Sequence, residues 1–194
     1  MNNRVIVITG PTAAGKSEVA LALCRSLGGE IVNADAMQVY RGMNIGTAKA
    51  SLEERAEVPH HLIDIRTPSE SYSVADYVRD AAQAIRDIQR RGRPAVVCGG
   101  TGLYVQSLLE GIQFHPQSHN PEIRRDLEEL ADREGVASLR LRLQEIDPET
   151  ARRLTDGDRR RVIRALEMFR TTGSTPSELL EQSRQEGPSF DFAA

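Results

Sequence analysis

The chain opens on an apolar run, RVIVIT at residues 4–9, with the composition of a buried strand, and three further runs repeat the theme: EIVNAD at 30–35, HHLIDI at 60–65 and AVVCGGTG at 95–102. Between the first two, Val19, Leu23 and Leu27 recur at helical spacing and predict a helix over 18–26, ended by Gly28 and Gly29. Residues 36–57 are mixed, with Gly42 and Gly46 breaking any long element. From 73 to 90, Val74, Tyr77, Val78, Ala81, Ile85 and Ile88 trace one helix face, with Ser73 as N-cap and Gly92 and Pro94 as the stop. After Pro116 the character changes. No strand-like run appears from 121 to 184, and charged helices are predicted at 121–134, 137–146, 148–154 and 158–172. The expected organisation is an α/β core over 1–115, a helical insertion over 116–185, and an incomplete return to the core at 186–194. The final GPSFDFAA reads as a strand that starts with no turn, charge or partner to finish it, as in a chain interrupted.

The first strand runs into GPTAAGKS, which fits the P-loop pattern G-x-x-x-x-G-K-[ST]. Backbone N–H groups of Gly10, Pro11, Thr12, Ala13, Ala14 and Gly15 (Pro11 excepted, having none) would curl round a phosphate, and side chains at the two glycines would obstruct that approach. The helix that follows points its N-terminus at the anion. Lys16 supplies a compact positive charge for the phosphates and Ser17 a hydroxyl for Mg²⁺. Lys16 and Lys49 are the only lysines, every other cationic side chain of that length being Arg. The motif predicts a P-loop NTPase-like parallel sheet flanked by helices. In such a sheet the residues just past the strand C-termini line the ligand crevice, so Gly10, Asp35 and Thr101 should converge there.

Composition adds bounds. A chain of 194 residues with 39% hydrophobic and 27% charged content is ordinary for a globular protein, and the net charge of −3 argues mildly against a nucleic-acid partner. Residues 115–184 hold 13 arginines against 14 acidic residues, so arginines there matter only if they cluster on one face. No stretch is long enough to span a membrane, and no signal-peptide cleavage region precedes the first strand, so a cytoplasmic protein without membrane contact is expected. Cys24 and Cys98 are too few and too far apart for a disulfide framework or metal knuckle. His60 and His61, adjacent on a strand, point to opposite faces and are read as structural.

Taken in order, GPTAAGKS, ADAMQVYR, GMNIGTAK, PHHLIDI and GGTGLY closely resemble the tRNA dimethylallyltransferases. The helical part joins the resemblance through NPEIRRDL, DPETARRL, RRRVIRALEMF and TTGSTPSEL, which look like that family's inserted tRNA-gripping domain. The resemblance implies transfer of the dimethylallyl group of dimethylallyl diphosphate to N6 of the adenine 3′-adjacent to the anticodon, with Mg²⁺ as cofactor, by a monomer acting on the anticodon stem-loop. Asp35 matches the family's general base, and Thr101 a hydroxyl near the bridging oxygen of the diphosphate. Asp35, Ala36, Met37 and Gln38, with Thr101, match the stretch that meets the extruded base. Arg124 and the run Arg160, Arg161, Val162, Ile163, Arg164 match contacts to tRNA.

Two departures stand out. Ala36 replaces the serine most common after the aspartate, and a later segment that brings the family another arginine for the diphosphate is missing, so this form is expected to be a fragment with weak or no turnover. From the residues alone Asp35 could instead be a Mg²⁺ ligand or a loop cap, and Thr101 a helix cap. Two other functions stay open: a P-loop kinase that uses ATP on a small hydroxyl acceptor, and a non-catalytic tRNA-binding module. The arginine-bearing insertion argues against a relative that prenylates a free nucleotide.

Overall fold

The computed structural model describes residues 4–114 and 119–193, which divide into two compact units, one of residues up to Ile112 together with Gly187 onward and one of Gln113–Glu186. In the first unit β1 (Val5–Thr9), α1 (Lys16–Leu27), β2 (Glu30–Asn33), α2 (Leu52–Glu57), β3 (His60–His61), α3 (Val74–Arg90), β4 (Ala95–Gly99) and α4 (Gly102–Leu109) follow in order. The strand β5 (Phe192–Ala193) completes a parallel sheet of order β3-β2-β4-β1-β5.

Strand side chains alternate between two cores, as the period of two requires. Val5, Val7, Val32, Val97 and Ala95 face α3 and α4, while Ile6, Ile8, Ile31, Val96 and Cys98 face α1. The buried face of α1 is Ala20, Leu21 and Cys24, whereas Val19 and Leu27 are exposed. This departs from the face expected of that helix: two small residues let α1 lie close to the sheet, and its larger side chains flank the contact. On α3 the expected face is the buried one, and Ser73 caps it in a reciprocal box with Asp76.

The strand expected over 60–65 ends after His61, because Leu62 at φ +62° and Asp64 at φ +56° turn the backbone out of the extended region. The chain then pairs elsewhere, with the Ile65 and Arg66 N–H groups donating to the Val39 carbonyl. The segment FDFA does find a partner, since Phe192 and Ala193 lie in register with Val5 and Ile6 and the Val5 N–H donates to the Asp191 carbonyl at 2.8 Å.

The second unit holds α5 (Pro121–Glu134), α6 (Val136–Ile146), α7 (Pro148–Arg153), α8 (Arg159–Thr172) and α9 (Pro176–Glu186). Leu127, Leu139, Leu143, Val162, Ile163 and Leu166 form its core. Two helix starts follow the same rule, Asn120 or Asp147 as N-cap and proline at the first helical position. Asp147, almost fully buried, also accepts from the Ser177 N–H at 3.0 Å and hydroxyl at 2.8 Å, which ties α9 to α7.

Candidate active site

At the C-terminal ends of β1, β2 and β4 a cleft of about 310 Å³ is lined by Thr12, Lys16, Ser17, Asp35, Gln38 and Gly100, among others. The P-loop forms one wall. Gly15 caps α1 at φ +73° and ψ +10°, and since a Cβ there would meet nothing within 4 Å, the demand for glycine is conformational rather than steric within the protein. Ala13 shares that handedness at φ +64°. Among the described residues no acceptor takes the backbone N–H groups of residues 12–15, so they stand open in a concave turn suited to an anion. The Lys16 ammonium donates to the Pro11 carbonyl at 2.6 Å, held over the loop.

The opposite wall begins with β2. The Ala34 N–H donates to Cys98 O, after which the chain turns, and Asp35 Oδ1 accepts from the N–H groups of Met37 at 2.8 Å and Gln38 at 3.3 Å. These two donors fix the carboxylate's direction and leave Oδ2 without a hydrogen-bond donor among the described residues. Asp35 therefore caps its loop with one oxygen, and the residue lines the cleft. Thr101 precedes α4 without capping it; its hydroxyl oxygen accepts from the Ala36 N–H at 2.9 Å. With its oxygen so engaged, the hydroxyl proton is free to be donated. Gly99 permits this approach of β4 to β2, because a Cβ there would lie 2.3 Å from Ala34 C and O.

A second tier holds the loop at 44–50. The Lys49 side chain is fully buried and donates to Tyr40 O and to Asp64 Oδ1, both at 2.7 Å, while Arg55 reaches Asp64 Oδ2 at 2.6 Å. Burial alone would raise the Asp64 carboxyl, but hydrogen bonds from Lys49 and Arg55 outweigh it and hold it below the ordinary carboxylate value. The Gln38 amide donates to Thr47 O at 2.9 Å, linking this loop to the residues after Asp35. Cys98 lies beneath the P-loop, its thiol 3.7 Å from Lys16 O and pushed up by burial. His60 and His61 take separate partners, Val58 O at 2.7 Å and Glu30 Oε2 at 2.6 Å. Nothing in the local pattern around Lys49 marks Asp64 as its partner.

The arginines named from sequence lie in the helical unit. Arg160 and Arg161 are exposed; Arg161 pairs with Asp158 at 2.9 Å, and Arg160 has no ion-pair partner among the described residues. Arg124 and Arg164 are half-buried and both reach Glu167. The Val162 and Ile163 side chains face inward to the helical core, so only the arginines of that run present side chains to a partner.

Among the described residues no helix is long and apolar enough to cross a membrane, and no cluster of three His, Cys, Asp or Glu side chains could hold a metal. In sequence the chain is 55% identical over 170 residues to tRNA dimethylallyltransferase 2 of Geotalea uraniireducens, covering 88% of this chain and 54% of that protein. It is 45% identical over 183 residues to a tRNA dimethylallyltransferase of Bacillus cytotoxicus, with 94% and 58% covered. The chain thus spans a little over half the length of these curated relatives. In structure it resembles the full-length tRNA isopentenylpyrophosphate transferase of Bacillus halodurans, with TM-score 0.58, 40% identity, and 96% and 67% covered. It also resembles a eukaryotic dimethylallyltransferase captured crystallographically acting on tRNA, with TM-score 0.83, 34% identity, and 97% and 46% covered. The family model for IPP transferase matches residues 38–194, and on the sheet, the cleft and these likenesses together the chain belongs to that family.

Proposed function

We propose that the cleft belongs to an enzyme that transfers the dimethylallyl group of dimethylallyl diphosphate to N6 of the adenine 3′-adjacent to the anticodon in cytoplasmic tRNA. What supports this reading is the hydrogen bond from the Ala36 N–H to Thr101 Oγ1, which ties Thr101 to the residue after Asp35, whose carboxylate lines the cleft together with Lys16 and Ser17 of the phosphate-binding loop. The open N–H groups of residues 12–15 and the Lys16 ammonium bind the diphosphate. As the allylic C–O bond breaks, its electron pair leaves with the diphosphate, and the Thr101 hydroxyl donates a hydrogen bond to the departing oxygen. The adenine nitrogen forms the new bond to that carbon, and its proton passes to Asp35 Oδ2. An exocyclic amine conjugated into a purine is a weak nucleophile, so removal of its proton as the bond forms matters to the rate.

The base must leave its stack to reach Asp35, and residues 35–38 are the stretch proposed to meet it; Asp35 and Gln38 line the cleft, and Met37 is about half exposed. Ser17 lies exposed in the cleft lining with no side-chain hydrogen bond among the described residues, which fits a Mg²⁺ shared with diphosphate oxygens, an ion that takes few protein ligands. Mg²⁺, when bound, neutralises charge on the leaving group. Arg124, Arg160, Arg161 and Arg164 are the proposed contacts of the helical unit to the tRNA anticodon stem-loop.

Titration calorimetry with dimethylallyl diphosphate and separately ATP, each with Mg²⁺, tests the reading. Tighter binding of the prenyl diphosphate is expected. Preference for ATP would overturn it in favour of phosphoryl transfer to a hydroxyl.

A further inference from the structure

The loop between β2 and α2 is fastened at both ends to one residue. Before it, Arg41 Nε donates to Asp64 O at 2.8 Å; after it, the Lys49 ammonium donates to Asp64 Oδ1 and to Tyr40 O, both at 2.7 Å. Burying an ammonium completely is costly unless close partners offset it, and here both partners serve to close this loop. Inside the loop, Thr47 Oγ1 donates to Met43 O at 2.6 Å, the Lys49 N–H to Asn44 O at 3.1 Å and the Ala48 N–H to Ile45 O at 3.2 Å. Ala48 is held at φ +47°. Residues 42–48 are thus a shaped turn with its own hydrogen bonds, not a slack connection.

What this turn presents is apolar. Ile45 is 97% exposed, more than any other large hydrophobic side chain among the described residues, while Met43 is partly covered. A single exposed isoleucine is ordinary on a protein surface. One held out by a turn with a fully buried anchor is different, because the entropy of ordering it has been lost before any partner arrives. Thr47 and Ala48 line the cleft with Asp35 and Gln38, and the Gln38 amide donates to Thr47 O at 2.9 Å. Through its bond to Ala48, Ile45 is one backbone turn away from that lining.

We propose that Ile45 is an apolar wedge that enters the anticodon loop and takes the stacking place left by the extruded adenine. The inference rests on the tRNA reading above and adds to it a residue that keeps the base out of its stack. Extrusion leaves a gap between the faces of two neighbouring bases, and side chains such as Ile, Leu, Met and Phe fill such gaps. A polar side chain would lose its water there without gaining a partner, so the absence of polar atoms is what suits Ile45 to the place.

The test uses an anticodon stem-loop with a terminal dye for anisotropy and 2-aminopurine in place of the adenine, whose emission rises on unstacking, with thermal unfolding of each variant alongside. Wild-type chain should bind and raise the emission; failure to bind overturns the tRNA reading and the inference with it, and binding without a rise overturns the wedge alone. Given both, Ile45→Ala should unfold at the wild-type midpoint, bind about tenfold more weakly and give a smaller rise, because three carbons leave a contact formed only on binding. Ile45→Leu, similar in volume, should restore both readouts. Unchanged affinity and emission in Ile45→Ala overturn the inference while leaving the tRNA reading in place. A stem-loop abasic at the same position separates filling the gap from touching the base: Ile45→Ala should weaken that complex as well, and a loss confined to the base-bearing loop would overturn the wedge.

Discussion

The proposed transfer comes down to which atoms of Asp35 and Thr101 are already committed. One oxygen of Asp35 serves two loop N–H groups, and the Thr101 oxygen serves Ala36, leaving one acceptor and one proton for a substrate. Thr101→Val tests both functions of the hydroxyl at once. The near-isosteric side chain keeps the volume but leaves the Ala36 N–H unpaired, at a cost of about 1 kcal/mol in unfolding free energy. If the proton also assists departure of the diphosphate, prenyl transfer should fall well beyond what that loss explains, while Thr101→Ser restores both. Single-turnover rates measured beside urea unfolding separate the two effects; a Val variant with wild-type transfer would confine Thr101 to structure. The alanine at position 36 bears on the same point, since what the structure asks of that residue is its backbone N–H, which any residue but proline provides.

At the scale of elements, the far wall of the cleft depends on a charge pair separated by 15 residues. Lys49 and Asp64 hold the loop at 44–50 against the turn after β3, and Asp64 sits at φ +56°, a conformation that asparagine also tolerates. Asp64→Asn therefore removes the charge while keeping shape and backbone. It leaves a buried ammonium without its counter-ion and should destabilise the first unit by about 3 kcal/mol, the low end for a broken buried pair because Asp64 keeps some access to water. Differential scanning calorimetry would show it, and an unchanged midpoint would mean that Lys49 relaxes to solvent. This pair also marks where sequence reasoning stops. The P-loop, the four core strands and α3 were legible because their signals are local: apolar runs, a glycine-rich turn, a 3.6-residue period and a capping serine. The rule that parallel sheets place ligands at strand ends pointed to Gly10, Asp35 and Thr101, and of these Asp35 lines the cleft. Lys49 with Asp64, Glu167 with Arg124, and β5 with β1 are contacts between distant residues, and a charged residue carries no local mark of being buried. For α2 a mark existed, the Ser51-to-Glu54 capping box inside a stretch read as mixed.

For the whole molecule, two separately packed units mean that damage to one core should be felt in its own unit. Leu143→Ala, at a fully buried position of the helical core, should lower the stability of that unit by about 3 kcal/mol and leave diphosphate binding in the cleft unchanged, as hydrogen exchange and calorimetry can read side by side. Acid stability offers a sharper test of what holds the sheet. Glu30 is buried at the start of β2 and meets His61 at 2.6 Å, Arg91 at 2.6 Å and Arg93 at 3.2 Å. Burial pushes its carboxyl up, but hydrogen bonds from His61 and Arg91 more than compensate, and the net displacement is downward from the ordinary value of 4.5. A carboxyl held below its unfolded value stabilises the fold fully at higher pH, because the unfolded chain binds the proton first as acid is added. That contribution fades as pH falls from about 4.5 through the folded value. Glu30→Gln should therefore be less stable than wild type at pH 7, by about 1–3 kcal/mol, with the gap closing below pH 4.5 as the wild-type carboxylate takes up its proton. Urea unfolding of the two proteins across pH 3–7 gives the gap directly. A gap that closes with acid assigns the stabilisation to the charge of Glu30, whereas a constant gap would assign it to the shape of the side chain and the hydrogen bonds glutamine cannot reproduce.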